Sequence, residues 1–223
     1  MNSYDDWVSL LSAELGKIEG VFASLTESQW RLPTHLEPTD PELPHWTVFE
    51  LAGHFDISMG LTGYLVAEPS DGVPGRDRVS FFINPRSETG PVVYSYAYQM
   101  VEGKTPADMP GVLQQRFSDT ITQVTTNDPD MVGSGYFALM TLREWVPTRV
   151  VEAVVHGIDL TDALGQPCLA SDEAISATAQ VLDELLARRT VGARPSDLAD
   201  DLAWVRAASG RTAHEDPRLP LIG

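Results

Sequence analysis

The sequence contains little of three things that could direct its function: cysteine, positive charge and long apolar runs. Its 223 residues include one cysteine, Cys168, which excludes an internal disulfide and any metal cluster built from cysteine thiolates. Fifteen Lys and Arg stand against 32 Asp and Glu, which gives a formal charge of −17. This balance argues against binding nucleic acid or an anionic membrane through a general electrostatic field, because such partners need clustered cations.

The first residues also lack the features of an export signal. The stretch MNSYDDWVSLL has acidic residues where a signal peptide has a basic region, and the chain contains no apolar run long enough for a membrane span. We therefore expect a soluble protein of the cytoplasm. Cys168 lies in a Gly-Gln-Pro-Cys loop with no obvious base beside it, so we interpret this thiol as structural.

Apolar residues recur at steps of three and four in several segments, and this spacing predicts amphipathic helices. The first covers Tyr4 to Leu25. The second begins at Thr47, which forms a capping box with Glu50, and it carries His54 near its apolar edge. A third long helix is predicted to follow Thr105-Pro106 as far as Asn127.

A fourth helix is predicted around RVVEAVVHGID, residues 149–159, with Pro147 in its first turn, where the missing N–H costs nothing. Two trailing helices are predicted, one capped by Ser171 and one from Ser196 to Ala208. Between the first and second helices, residues 28–46 contain four prolines and favour an extended loop.

Residues 69–104 connect the second and third helices. They begin with the turn-rich PSDGVPGRDR, and the later part fits either a helix opened by Pro91 or a strand with alternating tyrosines. The predicted fold is all-α: a four-helix bundle with long connections and one or two extra C-terminal helices. We divide the chain into a bundle, residues 1–168, and a C-terminal helical extension, residues 169–223, packed on the bundle.

Glu152 and His156 are four positions apart on the fourth helix, so both side chains lie on one face. Taken alone, this spacing is more typical of a surface pair or of a satisfied core histidine. Bundles build metal sites from inward side chains on facing helices, and His54 would complete a set of two histidines and one carboxylate. Such a set leaves a fourth position open, as catalytic zinc sites do. Glu50 is left open as a further ligand, although the helix cap already uses it.

Two motifs then resemble a known family. Trp46 is followed eight positions later by His54, and RVVEAVVHGIDL has an R-x2-E-x3-H-x2-D pattern. The combination resembles the mycothiol-dependent maleylpyruvate isomerase family of the DinB-like superfamily over roughly Tyr4 to Leu186. The resemblance implies a DinB-like four-helix bundle that binds a divalent metal, usually zinc. The implied ligands are His54, Glu152 and His156.

The resemblance also implies a reaction type. A zinc-dependent enzyme of this kind activates a small thiol, mycothiol, as a metal thiolate that adds to or isomerises a small electrophilic substrate. The isomerase itself carries a mixed α/β C-terminal domain, whereas residues 169–223 predict helices and a tail. Maleylpyruvate is therefore not the expected substrate, and a thiol S-transferase or isomerase is the broader expectation.

Two further residues on the fourth helix are assigned as catalytic candidates. Asp159, three positions after His156, is able to accept the second imidazole N–H of that ring, and the alternative is a surface aspartate. Arg149 would neutralise the site or hold a substrate carboxylate, and the alternative is a surface ion pair. Tyr94, Tyr96 and Tyr98 would line the mouth of a cavity or, as we favour, pack in the core or at an interface.

Two other functions stay open at this stage. One is a metal-stabilised binding or stress-response module without turnover. The other is a metal-dependent hydrolase in which the fourth position holds an activated water. The expected partners are a small-molecule thiol and an electrophile, and a homodimer is left open because bundles of this kind commonly pair.

Overall fold

The structure is a computed structural model, in which residues 2–36, 44–83 and 86–222 are described. Within them the chain forms seven α-helices and one β-hairpin. The helices are α1 (Tyr4–Ser24), α2 (Val48–Ala67), α3 (Arg86–Val101), α4 (Met109–Thr126), α5 (Leu142–Ala163), α6 (Asp172–Arg189) and α7 (Asp201–Ala208). The hairpin pairs β1 (Val132–Gly135) with β2 (Ala138–Thr141) in antiparallel register. The all-α prediction is confirmed.

Four helices, α1, α2, α4 and α5, pack against one another around a common core. Phe22 of α1 and Phe117 of α4 both contact the ring of Phe55 on α2, edge to face. From α5, Val150 and Val154 are completely buried in the same cluster. The bundle predicted from apolar periodicity is therefore present, and α3 packs beside α2 within the second long connection.

Helix α2 starts where its capping box predicts. The hydroxyl of Thr47 accepts a hydrogen bond from the N–H of Phe49, and the carboxylate of Glu50 accepts one from the N–H of Thr47 at 2.8 Å. These bonds satisfy donors that the first helical turn would otherwise leave unpaired. The start of α2, and with it the position of His54 two turns later, is fixed locally.

Helix α5 begins five residues earlier than Pro147 predicted. The strand β2 ends at Thr141, whose hydroxyl caps α5 by accepting from the N–H of Glu144 at 3.2 Å. Pro147 therefore lies inside the helix, where its missing N–H leaves the carbonyl of Arg143 without the usual partner. The prediction that Pro147 opens the helix was wrong, because a better cap lies just upstream.

Three other boundaries differ from the sequence predictions. Helix α4 begins at Met109, with Pro110 in its first turn, instead of directly after Pro106. Pro91 lies inside α3, so residues 91–101 are helical and the strand alternative is wrong. In the last predicted helix only Asp201–Ala208 is α-helical, since Asp200 caps it through the N–H of Ala203.

The residues after 168 pack on the bundle through two kinds of contact. Glu14 of α1, only 1% exposed, accepts hydrogen bonds from the N–H and hydroxyl of Ser171, the cap of α6. Arg206 of α7 forms a two-pronged ion pair with Asp162 of α5, with both N–O distances at 2.7 Å. The domain division at residue 168 stays a prediction.

None of the described helices combines the length and apolar character that crossing a bilayer requires.

Candidate metal centre

The three residues predicted as ligands converge on one point between α2 and α5. His54, Glu152 and His156 each offer a ligand atom, and these atoms all lie within 4.8 Å of one another. The Nε2 atom of His54 lies 3.4 Å from Oε2 of Glu152, and Nε2 of His156 lies 3.4 Å from the same oxygen. Two residues on successive turns of α5 and one residue of α2 thus form a single cluster of donor atoms.

Two of the three separations between these atoms fit a tetrahedral metal site. Zinc bonds of about 2.0–2.2 Å to nitrogen and oxygen place neighbouring ligand atoms about 3.3–3.5 Å apart in a tetrahedron. The two N–O distances of 3.4 Å agree with that separation. Imidazole and carboxylate are also the ligand types that zinc accepts, so the residues present fit a divalent cation of this class.

Burial shapes the protonation of the two histidines. Burial, together with neighbouring His156, lowers the pKa of His54 to about 4, so this ring is neutral near pH 7. Burial also acts to lower the pKa of His156, but the hydrogen bonds to Asp159 and Glu152 outweigh it, and the net pKa is raised. The two rings therefore differ in their readiness to take up a proton.

Glu152 is ionised at neutral pH. Burial acts to raise the pKa of this carboxyl, but hydrogen bonds with His156 and His54 outweigh burial and hold the pKa well below its usual range. The side chain is 18% exposed, the largest exposed fraction of the three candidate ligands. A negative charge is thus held between two imidazole rings, which is the charge distribution that a divalent cation needs.

Asp159 orients the ring of His156. Its Oδ2 lies 2.8 Å from Nδ1 of His156, and the carboxylate is 2% exposed. In the neutral ring a carboxylate at this distance favours the tautomer with the proton on Nδ1, so that Nε2 is the nitrogen able to bind a metal. The alternative of a surface aspartate does not fit a buried side chain.

The ring of His54 is oriented differently. It packs against the indole of Trp46, with ring centroids 5.2 Å apart and an angle of 33° between the planes. Tyr94 also stacks on the indole of Trp46, with ring centroids 4.7 Å apart, and its hydroxyl accepts a hydrogen bond from the backbone N–H of Trp46 at 3.1 Å. Among the described residues, Nδ1 of His54 is buried without a hydrogen-bond partner. Packing on Trp46 therefore helps to orient the ring of His54.

Core packing, the interpretation favoured from sequence, is confirmed for Tyr94, which is 5% exposed. Tyr98 donates its hydroxyl to the carbonyl of Pro44 at 3.1 Å, so it ties α3 to the segment before α2. Tyr96 is 37% exposed. Glu50 does not join the ligand cluster found among the described residues, because its carboxylate is used by the cap of α2.

Arg149 is buried one helical turn before Glu152. It is 1% exposed, and its Nη1 donates to the carbonyl and hydroxyl of Ser58 at 2.9 and 2.8 Å. The guanidinium also lies over the ring of Trp145, 4.3 Å from the centroid. Burial lowers the pKa of Arg149 to about 10, so it stays charged at neutral pH. The surface ion pair considered from sequence is therefore excluded. A catalytic role for Arg149 stays a prediction.

One residue beside the centre was not found from sequence. Arg211, after the end of α7, donates from Nε to Oδ1 of Asp159 at 2.9 Å and from Nη2 to Oδ2 at 2.6 Å. The only sequence signal was the Ser-Gly-Arg helix ending, which carries no information on the partner of the arginine. The contact joins positions 52 apart in the chain.

Cys168 packs against the core with its side chain partly buried. Burial raises the pKa of its thiol, so the thiolate is disfavoured at neutral pH. The structure places no described cysteine in the ligand cluster. These observations agree with the interpretation of Cys168 as structural.

Comparison with known proteins agrees with the motifs. A family model described as the mycothiol maleylpyruvate isomerase N-terminal domain matches residues 11–161, which is more than half of the chain. The matched range includes all three candidate ligands and Asp159. Searches of curated proteins and of solved structures return no significant match. The chain therefore belongs to the mycothiol maleylpyruvate isomerase N-terminal domain family.

Proposed function

We propose that this protein is a zinc-dependent enzyme that uses a low-molecular-weight thiol, mycothiol, for addition to or isomerisation of a small electrophile. The observation that carries the proposal is the meeting of His54, Glu152 and His156, with two N–O distances of 3.4 Å. Membership of a family whose name contains mycothiol supports the choice of thiol. Other divalent metals of similar ligand preference are alternatives to zinc.

The thiol has to come from outside the chain. A free thiol has a pKa near 8.5 and is mostly protonated at neutral pH, and burial raises the pKa of Cys168 further. A divalent metal held by the three ligands would supply the Lewis acidity that favours the thiolate of a small thiol. A small thiol cosubstrate is therefore a better nucleophile for this site than the protein's own cysteine.

The chain's own residues prepare the site for this chemistry. His54 offers a neutral ring because burial lowers its pKa to about 4. Asp159, 2.8 Å from Nδ1 of His156, favours the proton on Nδ1 in the neutral ring, so Nε2 would be the nitrogen that binds the metal. We assign Arg149 the role of balancing the charge of Glu152 from the core side, since its guanidinium stays charged and buried. The proposed partners are the thiol and the electrophile, and the proposed location is the cytoplasm.

The proposal is tested by a thermal-shift screen of the zinc-loaded protein against mycothiol, glutathione and bacillithiol. We expect mycothiol to raise the Tm selectively, and we expect His156→Ala to lose this response because it lacks a ligand. His214→Ala is the matched control, because His214 contacts Asp197 in the C-terminal part of the chain, outside the ligand cluster. The control should respond as the wild type does.

Two outcomes would overturn the thiol part of the proposal. In the first, zinc raises the Tm, but no thiol changes it further and no electrophile is turned over. This result would indicate a metal-stabilised binding module. Hydrolysis of esters or amides by the zinc-loaded protein without added thiol would indicate a hydrolase that activates water.

A further inference from the structure

The C-terminal segment reaches the candidate metal centre through one side chain. Arg211 holds both oxygens of Asp159, at 2.9 Å from Nε to Oδ1 and 2.6 Å from Nη2 to Oδ2. The same Oδ2 lies 2.8 Å from Nδ1 of His156. The Arg211 side chain is 8% exposed and that of Asp159 is 2% exposed, so the pair is nearly closed to solvent.

The end of α7 aims Arg211 at this position. Gly210 has a φ of +76°, the left-handed conformation that favours glycine. Its N–H donates to the carbonyl of Ala207, and the N–H of Arg211 donates to the carbonyl of Arg206 at 2.8 Å. This pair of bonds is the Schellman pattern, which turns the chain sharply after a helix. The direction of Arg211 is therefore set by the helix end.

We propose that Arg211 is a positioning residue of the metal centre, which acts through Asp159 on His156. The two-pronged hydrogen bond fixes the plane of the Asp159 carboxylate, and this plane aims Oδ2 at the ring N–H of His156. The inference rests on the proposed metal binding by His54, Glu152 and His156. Arg211 lies beyond residues 11–161, the range that the family model matches, so the C-terminal segment contributes to the centre.

The environment of Asp159 makes this dependence strong. Among the described residues, an Asp159 carboxylate that loses its arginine keeps one side-chain hydrogen-bond partner, the His156 ring. An uncompensated charge in the protein interior is costly. The carboxylate would turn towards water or take up a proton, and either change weakens its hold on the His156 ring. Loss of such an outer partner of a metal ligand typically lowers metal affinity about 10–100-fold.

The neighbouring pair of Arg206 and Asp162 provides a matched control. It has the same chemistry, with two N–O distances of 2.7 Å, and it also joins α7 to α5. Asp162 makes no described contact with a candidate ligand. Removing either arginine therefore loosens the C-terminal segment in a similar way, but only Arg211 donates hydrogen bonds to Asp159, the carboxylate that contacts His156, whereas Arg206 acts on Asp159 only through its charge.

The experiment measures the zinc Kd of the full chain by competition with a chromophoric chelator, together with the Tm of the metal-free protein. We expect Arg211→Met to raise the Kd about 10–100-fold. Arg206→Met should lower the Tm without changing the Kd. In an Asp159→Asn background, Arg211→Met should cause no further loss, because both residues act through one hydrogen bond to His156.

The spectrum of the Co²⁺-loaded protein adds a measurement that a less stable C-terminal segment alone would not change. The visible bands should change in Arg211→Met and not in Arg206→Met. Arg211→Lys, which keeps the charge and loses the fork, takes the place of Arg211→Met if the latter fails to fold. Equal Kd values for the Arg211 and Arg206 variants, or additive effects of Arg211→Met and Asp159→Asn, would overturn the inference. A wild-type chain that binds no zinc would overturn the proposed function as well, so the two failures are distinguishable.

Discussion

His54 and Glu152 are 98 positions apart in the chain, yet Nε2 of the histidine lies 3.4 Å from Oε2 of the glutamate. Nε2 of His156 lies 3.4 Å from the same oxygen. One carboxylate oxygen thus lies close to two imidazole nitrogens in a site that is largely closed to solvent. The relationship between α2 and α5 that places these groups together is the basis of the predictions that follow.

Zinc affinity should decrease as the pH is lowered, because protons compete with the metal at His156. The pKa of this ring is raised above its usual 6.5 by Asp159 and Glu152, so protons compete with metal at His156 before they compete at His54. Below the pKa of His156 the affinity should fall about tenfold per pH unit, since one proton has to leave for each metal bound. Calorimetric zinc titrations from pH 8 to pH 5.5 measure this slope.

Asp159→Asn should change the same titration in two ways. At pH 8 the affinity should be about 10–100-fold lower than in the wild type, because the ring loses its orienting carboxylate. The onset of the decline should also move to lower pH, since a partner that raises the pKa of His156 is gone. Asp162→Asn is the control, and it should follow the wild-type curve. An unchanged onset in Asp159→Asn would contradict this role of Asp159.

Protonation of His54 should destabilise the metal-free protein in acid. Burial lowers the pKa of His54 from 6.5 to about 4, so the unfolded chain binds a proton at this residue before the folded chain does. Stability from the neutral ring is therefore present above pH 6.5 and is lost as the pH falls towards 4. The loss between pH 6.5 and pH 5 should be about 2 kcal/mol.

Between pH 6.5 and pH 5 the change in stability reports on His54 and not on His156. His156 has a raised pKa, so its stabilising contribution is already complete below pH 6.5 and adds no slope there. Urea unfolding of the metal-free wild type and of His54→Asn at pH 6.5 and pH 5 measures the difference. The variant should lose less stability than the wild type over this range, and equal losses would show that the ring of His54 is not held neutral by burial.

Gly53 should be intolerant of a side chain, because α3 packs closely on α2 beside His54. A Cβ at this position would lie 2.5 Å from the carbonyl oxygen of Ala97 and 2.8 Å from a methyl group of Val101. Gly53→Ala should lower the free energy of unfolding by about 1–3 kcal/mol, as overpacking of a core does.

Gly16 on α1 provides the control for this substitution. A Cβ there meets no described atom within 4 Å, so Gly16→Ala should stabilise the protein by about 0.5–1 kcal/mol through helix propensity. Chemical denaturation of both variants compares the two positions. Similar effects of the two substitutions would contradict close packing at Gly53.

Local patterns in the sequence were sufficient to predict the bundle, and together with the family resemblance they indicated the candidate ligands. The capping box of Thr47 and Glu50 located α2, and the four-residue spacing of Glu152 and His156 placed both on one face of α5. The packing of facing helices suggested His54, the family resemblance supported it, and the structure places its Nε2 atom 3.4 Å from Glu152. The contact between Asp159 and the ring of His156 was also considered from sequence, since a spacing of three residues allows contact within one helix.

Features that depend on distant contacts were not predictable. The hairpin of Val132–Gly135 and Ala138–Thr141 has four-residue strands, too short to show a clear alternation. Pro147 was misleading, because the proline rule for first turns does not reveal that Thr141 already caps the helix. Arg211 finds Asp159 only through the fold, since no local period connects residues so far apart.

The central claim is that His54, Glu152 and His156 together bind one divalent metal. The most direct test is the zinc content of the purified protein after zinc loading and gel filtration, measured by mass spectrometry for the wild type, His54→Ala and His214→Ala. A site of this kind should hold about one zinc per chain.

His54→Ala should lose this zinc, since the two donors that remain on α5 are too few for a stable site, while His214→Ala should keep it. This result would support the convergence of α2 and α5 on one ion. A wild type without stoichiometric zinc, or a His54→Ala variant that retains the full zinc content, would contradict the account.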